Sequence, residues 1–246
     1  MTSPYILALL AVFPFLRAIR GEFLFDDVNL FLDGGPLGIV YRSVRQFRGD
    51  YRAMVHLFDS WLWRLFGKGT GKNEAGTEIT QPAWSWHVLS LAFHVGATFT
   101  VWEIAGWFLE PWRAFVAAAI FAAHPLQVQA VAYISGRAGV QAFFFAALGL
   151  VHAHAGGYHW AAVPVCMYFA YKSKPDAVMY WLAAPFVSRS YEELIIACSV
   201  YAVCAAALYF TRCWWGAHAW YWSEGLLLCR KCSAPHPESP KPLENT

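Results

Sequence analysis

The stretch RAGVQAFFFAALGLVHAHAGGYHWAAVPVCMYFAYK, residues 137–172, encloses 34 residues between Arg137 and Lys172 without one Asp, Glu, Lys or Arg. Two similar runs flank it: 23 residues between Arg113 and Arg137, and 18 from Leu194 to Thr211. A hydrocarbon core about 30 Å thick is crossed by roughly 20 apolar residues of helix. A soluble fold cannot hide several uncharged runs of this length, so the reading is an all-α, integral membrane protein. Working outward, apolar segments at 4–19, 88–109, 114–134, 138–154, 158–172, 176–189 and 193–212 predict a polytopic transmembrane bundle of roughly six or seven spans. The first segment is short, is followed by Arg17 and Arg20, lacks a cleavage site and reads as a retained anchor. Composition agrees: 58% of residues are hydrophobic and 14% charged, where soluble domains run near a quarter charged. Trp84, Trp86, Trp107, Trp112 and the cluster at Trp214, Trp215, Trp220 and Trp222 suit interfacial belts in contact with membrane lipids.

Residues 1–212 read as one membrane domain with a long first loop, 20–87. Residues 213–246 read as a Trp- and Cys-containing tail, disordered at its Pro-rich end. Within the loop, Leu37 to Phe47 and Ala53 to Phe66 repeat apolar residues at helical spacing, interrupted by Arg42, Arg45, Arg48 and Arg64. That pattern predicts amphipathic helices lying in the interface, arginines among the headgroups. Gly67 to Pro82, rich in Gly, Thr and charge, reads as an excursion between elements. A net charge of +2 without a basic tract argues against nucleic acid as a partner. Cys229 and Cys232 have a spacing that serves a metal or a disulfide, and equally an ordinary solvated tail.

Two segments carry residues suited to chemistry. Gly21-Glu22-Phe23-Leu24-Phe25-Asp26-Asp27 places paired carboxylates just after the first anchor. There, Asp26 and Asp27 can bind a divalent metal ion, take a proton from a nucleophile, or simply form a solvated turn. In the second, Pro125 lacks a backbone N–H and should kink or end the third helix beside His124. Arg137 follows a flexible Ser135-Gly136, and an arginine at a membrane face suits either phosphate recognition or topological anchoring. His87 and His94 are seven residues apart on one helical face, and His152, His154 and His159 cluster near a turn. Intramembrane histidines ligate haem or pigment metals, relay protons, or hydrogen-bond a neighbouring helix. Glu103, alone in the second span, should face protein or water rather than lipid.

The order of these pieces resembles the membrane portion of tetratricopeptide-containing protein O-mannosyltransferases and their bacterial relatives, of the type C glycosyltransferase fold. The pieces are Phe25-Asp26-Asp27, Tyr51-Arg52 leading into an aromatic helix, Trp86-His87 with His94, His124-Pro125, Ala130-Val131-Ala132-Tyr133-Ile134-Ser135-Gly136-Arg137, and Ser173-Lys174. They cover roughly residues 5–190, and no tetratricopeptide array accompanies them. The resemblance implies a polyprenyl-phosphate-linked sugar as donor and an acceptor approaching from the extracytoplasmic side. It makes Asp26 or Asp27 the base or metal contact and Arg52, Arg137 and Lys174 the contacts to the donor phosphate. His87, His94 and His124 would line the cavity.

The chain departs from that family at Gln129, Gly139 and Pro175, where relatives usually carry acids, and it is shorter than those enzymes. The departures open a second expectation, a non-catalytic derivative serving as accessory subunit of a larger membrane complex. The histidines alone suggest a third, a haem- or pigment-binding membrane subunit. The motif order places the first loop outside the cytoplasm, whereas its Arg and Lys residues would by charge bias place it inside. A short bundle with an aromatic tail also predicts contact with other membrane protein subunits.

Overall fold

The computed structural model describes residues 3–21, 52–66, 71–72, 78–79 and 83–177, with scattered positions between 179 and 206. Asp26, Asp27, the expected helix Leu37–Phe47, most of the segments 176–189 and 193–212, and the tail lie outside the described residues. The chain divides into two compact units, Met1–Cys204 and Ala205–Thr246. All that follows concerns the first.

The architecture is helical, apart from a two-residue antiparallel ladder of β1 (Gly71–Lys72) with β2 (Glu78–Ile79). Helix α1 (Pro4–Val12) tightens into a 3-10 helix over Phe13–Arg20, the change falling where Pro14 has no N–H to give. The loop helix α2 runs Ala53–Phe66, as its apolar spacing predicts. Helices α3 (Trp84–Gly106) and α6 (Arg137–Ala155) are long and apolar enough to cross a membrane.

The expected third span is broken. Helix α4 ends at Ala123, and a short α5 follows over Gln127–Val131. His124 is extended (φ −66°, ψ 131°), because the ring of a following proline excludes the helical region. The expected fifth span starts as a 3-10 turn, Gly157–Ala161, before α7 (Val163–Ser173). Pro164 in its first turn has no N–H to satisfy.

Polar side chains share the interior with an apolar core, and apolar side chains also line the exterior. The buried face of α3 carries Ser85, His87, Ser90, His94, Thr98 and Thr100, while Val88 is exposed. Tyr5, Leu9 and Phe13 on α1 and Val116 and Ile120 on α4 also face outward. In the most apolar windows of α3 and α6, 39% and 44% of residues are buried.

Small residues bring the helices together. Ala114, Ala118 and Ala122 form the buried stripe of α4, which packs on α1 and α3. Ala142 and Ala146 of α6 meet Ala170 of α7 and Ala177. Without a hydrophobic drive in lipid, close backbone approach through such residues supplies the contact. Gly96 of α3 is one such point: a Cβ there would lie 2.7 Å from the Phe144 ring on α6.

The contacts fix the helix directions. His94, midway along α3, meets Ala122 at the end of α4. Gln141, near the start of α6, meets Ser173 at the end of α7. Trp107 just past α3 stacks on His154 at the end of α6. Thus α3 and α6 run parallel, and α4 and α7 run against them.

Two glycines three residues apart test this packing. A Cβ on Gly136 would lie 2.0 Å from the Gln129 carbonyl oxygen, whereas one on Gly139 meets nothing within 4 Å. Gly136→Ala should therefore destabilise by about 1–3 kcal/mol or more. Gly139→Ala, in a helix interior, should stabilise by roughly 0.5–1 kcal/mol. Thermal unfolding in mild detergent checks both signs; equal midpoints for the two variants would refute the close approach at Gly136.

Candidate functional site

The end of the bundle holding the starts of α3 and α6 is the polar end. Its centre is Asp59, on the face of α2 shared with Ala53, His56 and Ser60, all buried. Trp86 Nε1 donates to Asp59 Oδ1 at 2.8 Å, and Arg137 Nη2 donates to the same oxygen. Asp59 and Arg137 are each 1% exposed, so a full ion pair is held away from solvent. His56 Nδ1 stands 3.7 Å from Asp59 Oδ2, too far for a hydrogen bond. Burial by itself would raise the Asp59 carboxyl. The Arg137 charge, with His56 assisting, outweighs burial and holds the carboxyl below the ordinary carboxylate value.

The site is only half satisfied. Among the described residues, Asp59 Oδ2, Arg137 Nε and Arg137 Nη1 are buried without hydrogen-bond partners, as are both ring nitrogens of His87. His87 abuts Gly21, where a Cβ would approach its Nε2 to 3.2 Å. The chain therefore leaves the first anchor beside this histidine. Unmet donors on a buried guanidinium are costly, and an arriving oxyanion would satisfy them. One turn along α6 from Arg137, Gln141 donates to Ser173 Oγ at 3.0 Å while its own carbonyl oxygen has no partner. The polar line thus extends from Arg137 toward the end of α7.

The residues singled out in sequence separate into three groups. Arg137 and His87 belong to the buried cluster. His94 is buried nearby, with Nε2 3.0 Å from the Ala122 carbonyl and its ring edge-on to Phe15; its role is to join α3 to α4. Arg52, His124 and Lys174 are exposed and do not join the cluster. Arg52 precedes α2, seven residues or about 10 Å of helix before Asp59. His124 Nδ1 accepts from the Leu126 N–H at 3.2 Å, a turn contact. Lys174 Nζ pairs with Asp176 at 3.2 Å. Among the described residues no group of three His, Cys, Asp or Glu side chains is placed to hold a metal ion. Glu103 is exposed rather than packed on protein and stands close to the end of α3.

Asp59 has no role in the sequence reading. Its signal was positional: a carboxylate three residues after His56, on the buried face of an otherwise apolar and aromatic helix. An acid on such a face needs a buried cation. No family model, curated protein or solved structure matches the chain.

Removing one partner of a buried pair strands the other charge, at about 3–5 kcal/mol. Asp59→Asn should lower stability by that order. The double replacement Asp59→Leu with Arg137→Met should recover most of the loss, giving a large coupling in a double-mutant cycle. A depressed carboxyl contributes stability above its unfolded value of about 4, and loses it as pH falls through the lower folded value. The difference between wild type and Asp59→Asn should hence persist at pH 5–8 and shrink below about pH 4. Detergent unfolding midpoints across pH measure this; a gap that stays constant down to pH 2 would contradict the pairing.

Proposed function

We propose that this chain is a polytopic membrane protein that binds a polyprenyl-phosphate-linked sugar at its polar end, in the manner of type C glycosyltransferases. The observation that carries the reading is the Arg137 guanidinium, anchored to Asp59 through Nη2, with Nε and Nη1 buried and unpartnered. A fixed, always-charged planar donor at the end of a lipid-facing bundle suits a phosphate whose isoprenoid chain lies in the bilayer. Spans beyond α3 and α6 come from α1 with its 3-10 extension, α4 with α5, α7, and the apolar segments that follow. The polar end is extracytoplasmic, where an acceptor arrives.

In the transfer reaction the bond between sugar and phosphate breaks and the polyprenyl phosphate leaves with developing negative charge. Arg137 stabilises that charge, and Asp59 holds the guanidinium in place as a positioning residue. Asp26 or Asp27, in the segment after Gly21, takes the acceptor hydroxyl proton or holds a divalent cation that polarises it. His87 lines the donor cavity between Gly21 and Arg137.

A second reading, an accessory subunit that binds the same lipid without turnover, draws support from Gly139. A side chain at that position would meet nothing within 4 Å, so the space where relatives carry an acid is empty of one. Gln129 and Pro175 likewise lack acids.

The test uses full-length protein in nanodiscs. A polyprenyl-phosphate sugar should bind at least tenfold more tightly than the matching polyprenol, and Arg137→Lys should abolish that preference because lysine lacks the planar donor set. Asp26→Asn or Asp27→Asn should abolish transfer while leaving binding intact. Binding without transfer to any hydroxyl acceptor would select the accessory reading. Equal affinity for phosphate and alcohol would overturn both.

A further inference from the structure

The opposite end of the bundle lies about 22 Å along α6 from Arg137, fifteen residues at 1.5 Å each. There α6 closes on two glycines with positive φ, Gly156 at 71° and Gly157 at 56°. Gly156 pairs that φ with a ψ of −171°, a region only glycine occupies comfortably. The reversal sends the 3-10 turn Gly157–Ala161 back against the last turn of α6. As a result His152 and His159 face each other, Nδ1 to Nδ1, at 3.3 Å. Their rings are 24° from parallel with centroids 5.4 Å apart, and both are half-buried, open to small solutes. Tyr158 stacks on His159 at 4.2 Å. His154 turns away from the pair and stacks on Trp107 at 3.9 Å.

Two imidazole nitrogens bound to one tetrahedral zinc, each about 2.0–2.1 Å from it, stand about 3.3–3.4 Å apart. The observed separation matches that bite. It does not match haem, whose two axial ligands lie on opposite sides of the iron. As a hydrogen bond, 3.3 Å is beyond the usual N–H contact of about 2.9–3.0 Å. We propose that His152 and His159 form a site for a divalent transition-metal ion, zinc or copper, bound through both Nδ1 atoms with water at the remaining positions. Imidazole suits both ions. Among the described residues no third His, Cys, Asp or Glu completes a set of three, which leaves coordination positions open. An ion held here clamps the end of α6 to the turn leading into α7, and binding to the folded state alone stabilises that end. The site is independent of the lipid-phosphate reading.

The experiment uses the full chain in detergent, purified through a histidine-free tag, with Cys198, Cys204, Cys213, Cys229 and Cys232 changed to serine so that accessible thiols do not compete. Zinc and copper(II) are titrated separately. One equivalent should bind and raise the thermal midpoint. His152→Ala and His159→Ala should each weaken binding at least tenfold and remove the thermal shift, while His154→Ala leaves both unchanged. X-ray absorption on the zinc-loaded chain with all histidines intact should show two imidazoles per ion, a readout that does not depend on how the variants fold. Unchanged affinity in the His152→Ala/His159→Ala double variant, an equal loss in His154→Ala, or a zinc shell without two imidazoles would overturn the site.

Discussion

A carboxylate on the first-loop helix and a guanidinium at the start of α6 share one buried contact, and the polar end of the bundle is organised around it. Asp59 can be ionised at 1% exposure only because Arg137 and Trp86 both converge on its Oδ1. Separating them leaves a charge in a medium that solvates it poorly. The contact therefore holds α2 against the starts of α3 and α6. It also sets the guanidinium in one orientation, with its remaining nitrogens unfilled. A loop helix that would otherwise rest on the bundle by apolar contacts, such as Phe58 edge-on to Phe93 at 5.2 Å, acquires a defined register.

The rest of the interior obeys the same constraint at lower stakes. His94 reaches the Ala122 carbonyl, Gln141 reaches Ser173, and Ser90 and Thr98 turn their hydroxyls back onto the Trp86 and His94 carbonyls. These four side chains each reach a neighbouring helix or their own backbone, while Tyr5, Leu9, Val116 and Ile120 face outward. Alanine and glycine at the crossings let the backbones approach closely enough for these short side chains to reach.

The parallel course of α3 and α6 makes the two ends of the bundle chemically different. One end gathers Gly21, His87, Arg137 and Ser173, with charge buried in the middle. The other gathers Trp107, Trp160 and three histidines around a glycine reversal. The first end holds a guanidinium whose Nε and Nη1 meet no acceptor among the described residues, and the second brings two imidazoles to 3.3 Å.

Much of this was legible from the residues alone. Apolar composition located α3, the absence of charge between Arg137 and Lys172 located α6, helical spacing located α2, and Pro125 located the break after α4. Each of these is local: a span needs only its own apolar residues, and a proline disturbs only the turn it sits in. Arg137 was also legible, because Ser135-Gly136-Arg137 marks a span boundary. The depth of its burial was not. That depends on Asp59, 78 positions away in the chain, and an acid on an aromatic helix carries no mark of which cation it will meet. The exposure of Arg52, His124 and Lys174 was equally hidden, since a charged residue near a span boundary reads alike whether it points inward or into water. The same limit applies to His152 and His159. The sequence marks them as a cluster near a turn, but which two meet is decided only when Gly156 and Gly157 take positive φ and fold one back over the other. Composition and periodicity determined where the described helices run and that two of them are long and apolar enough to cross a membrane; only the tertiary packing decided which charges are paired, because pairing is a distance between faces that no single helix contains.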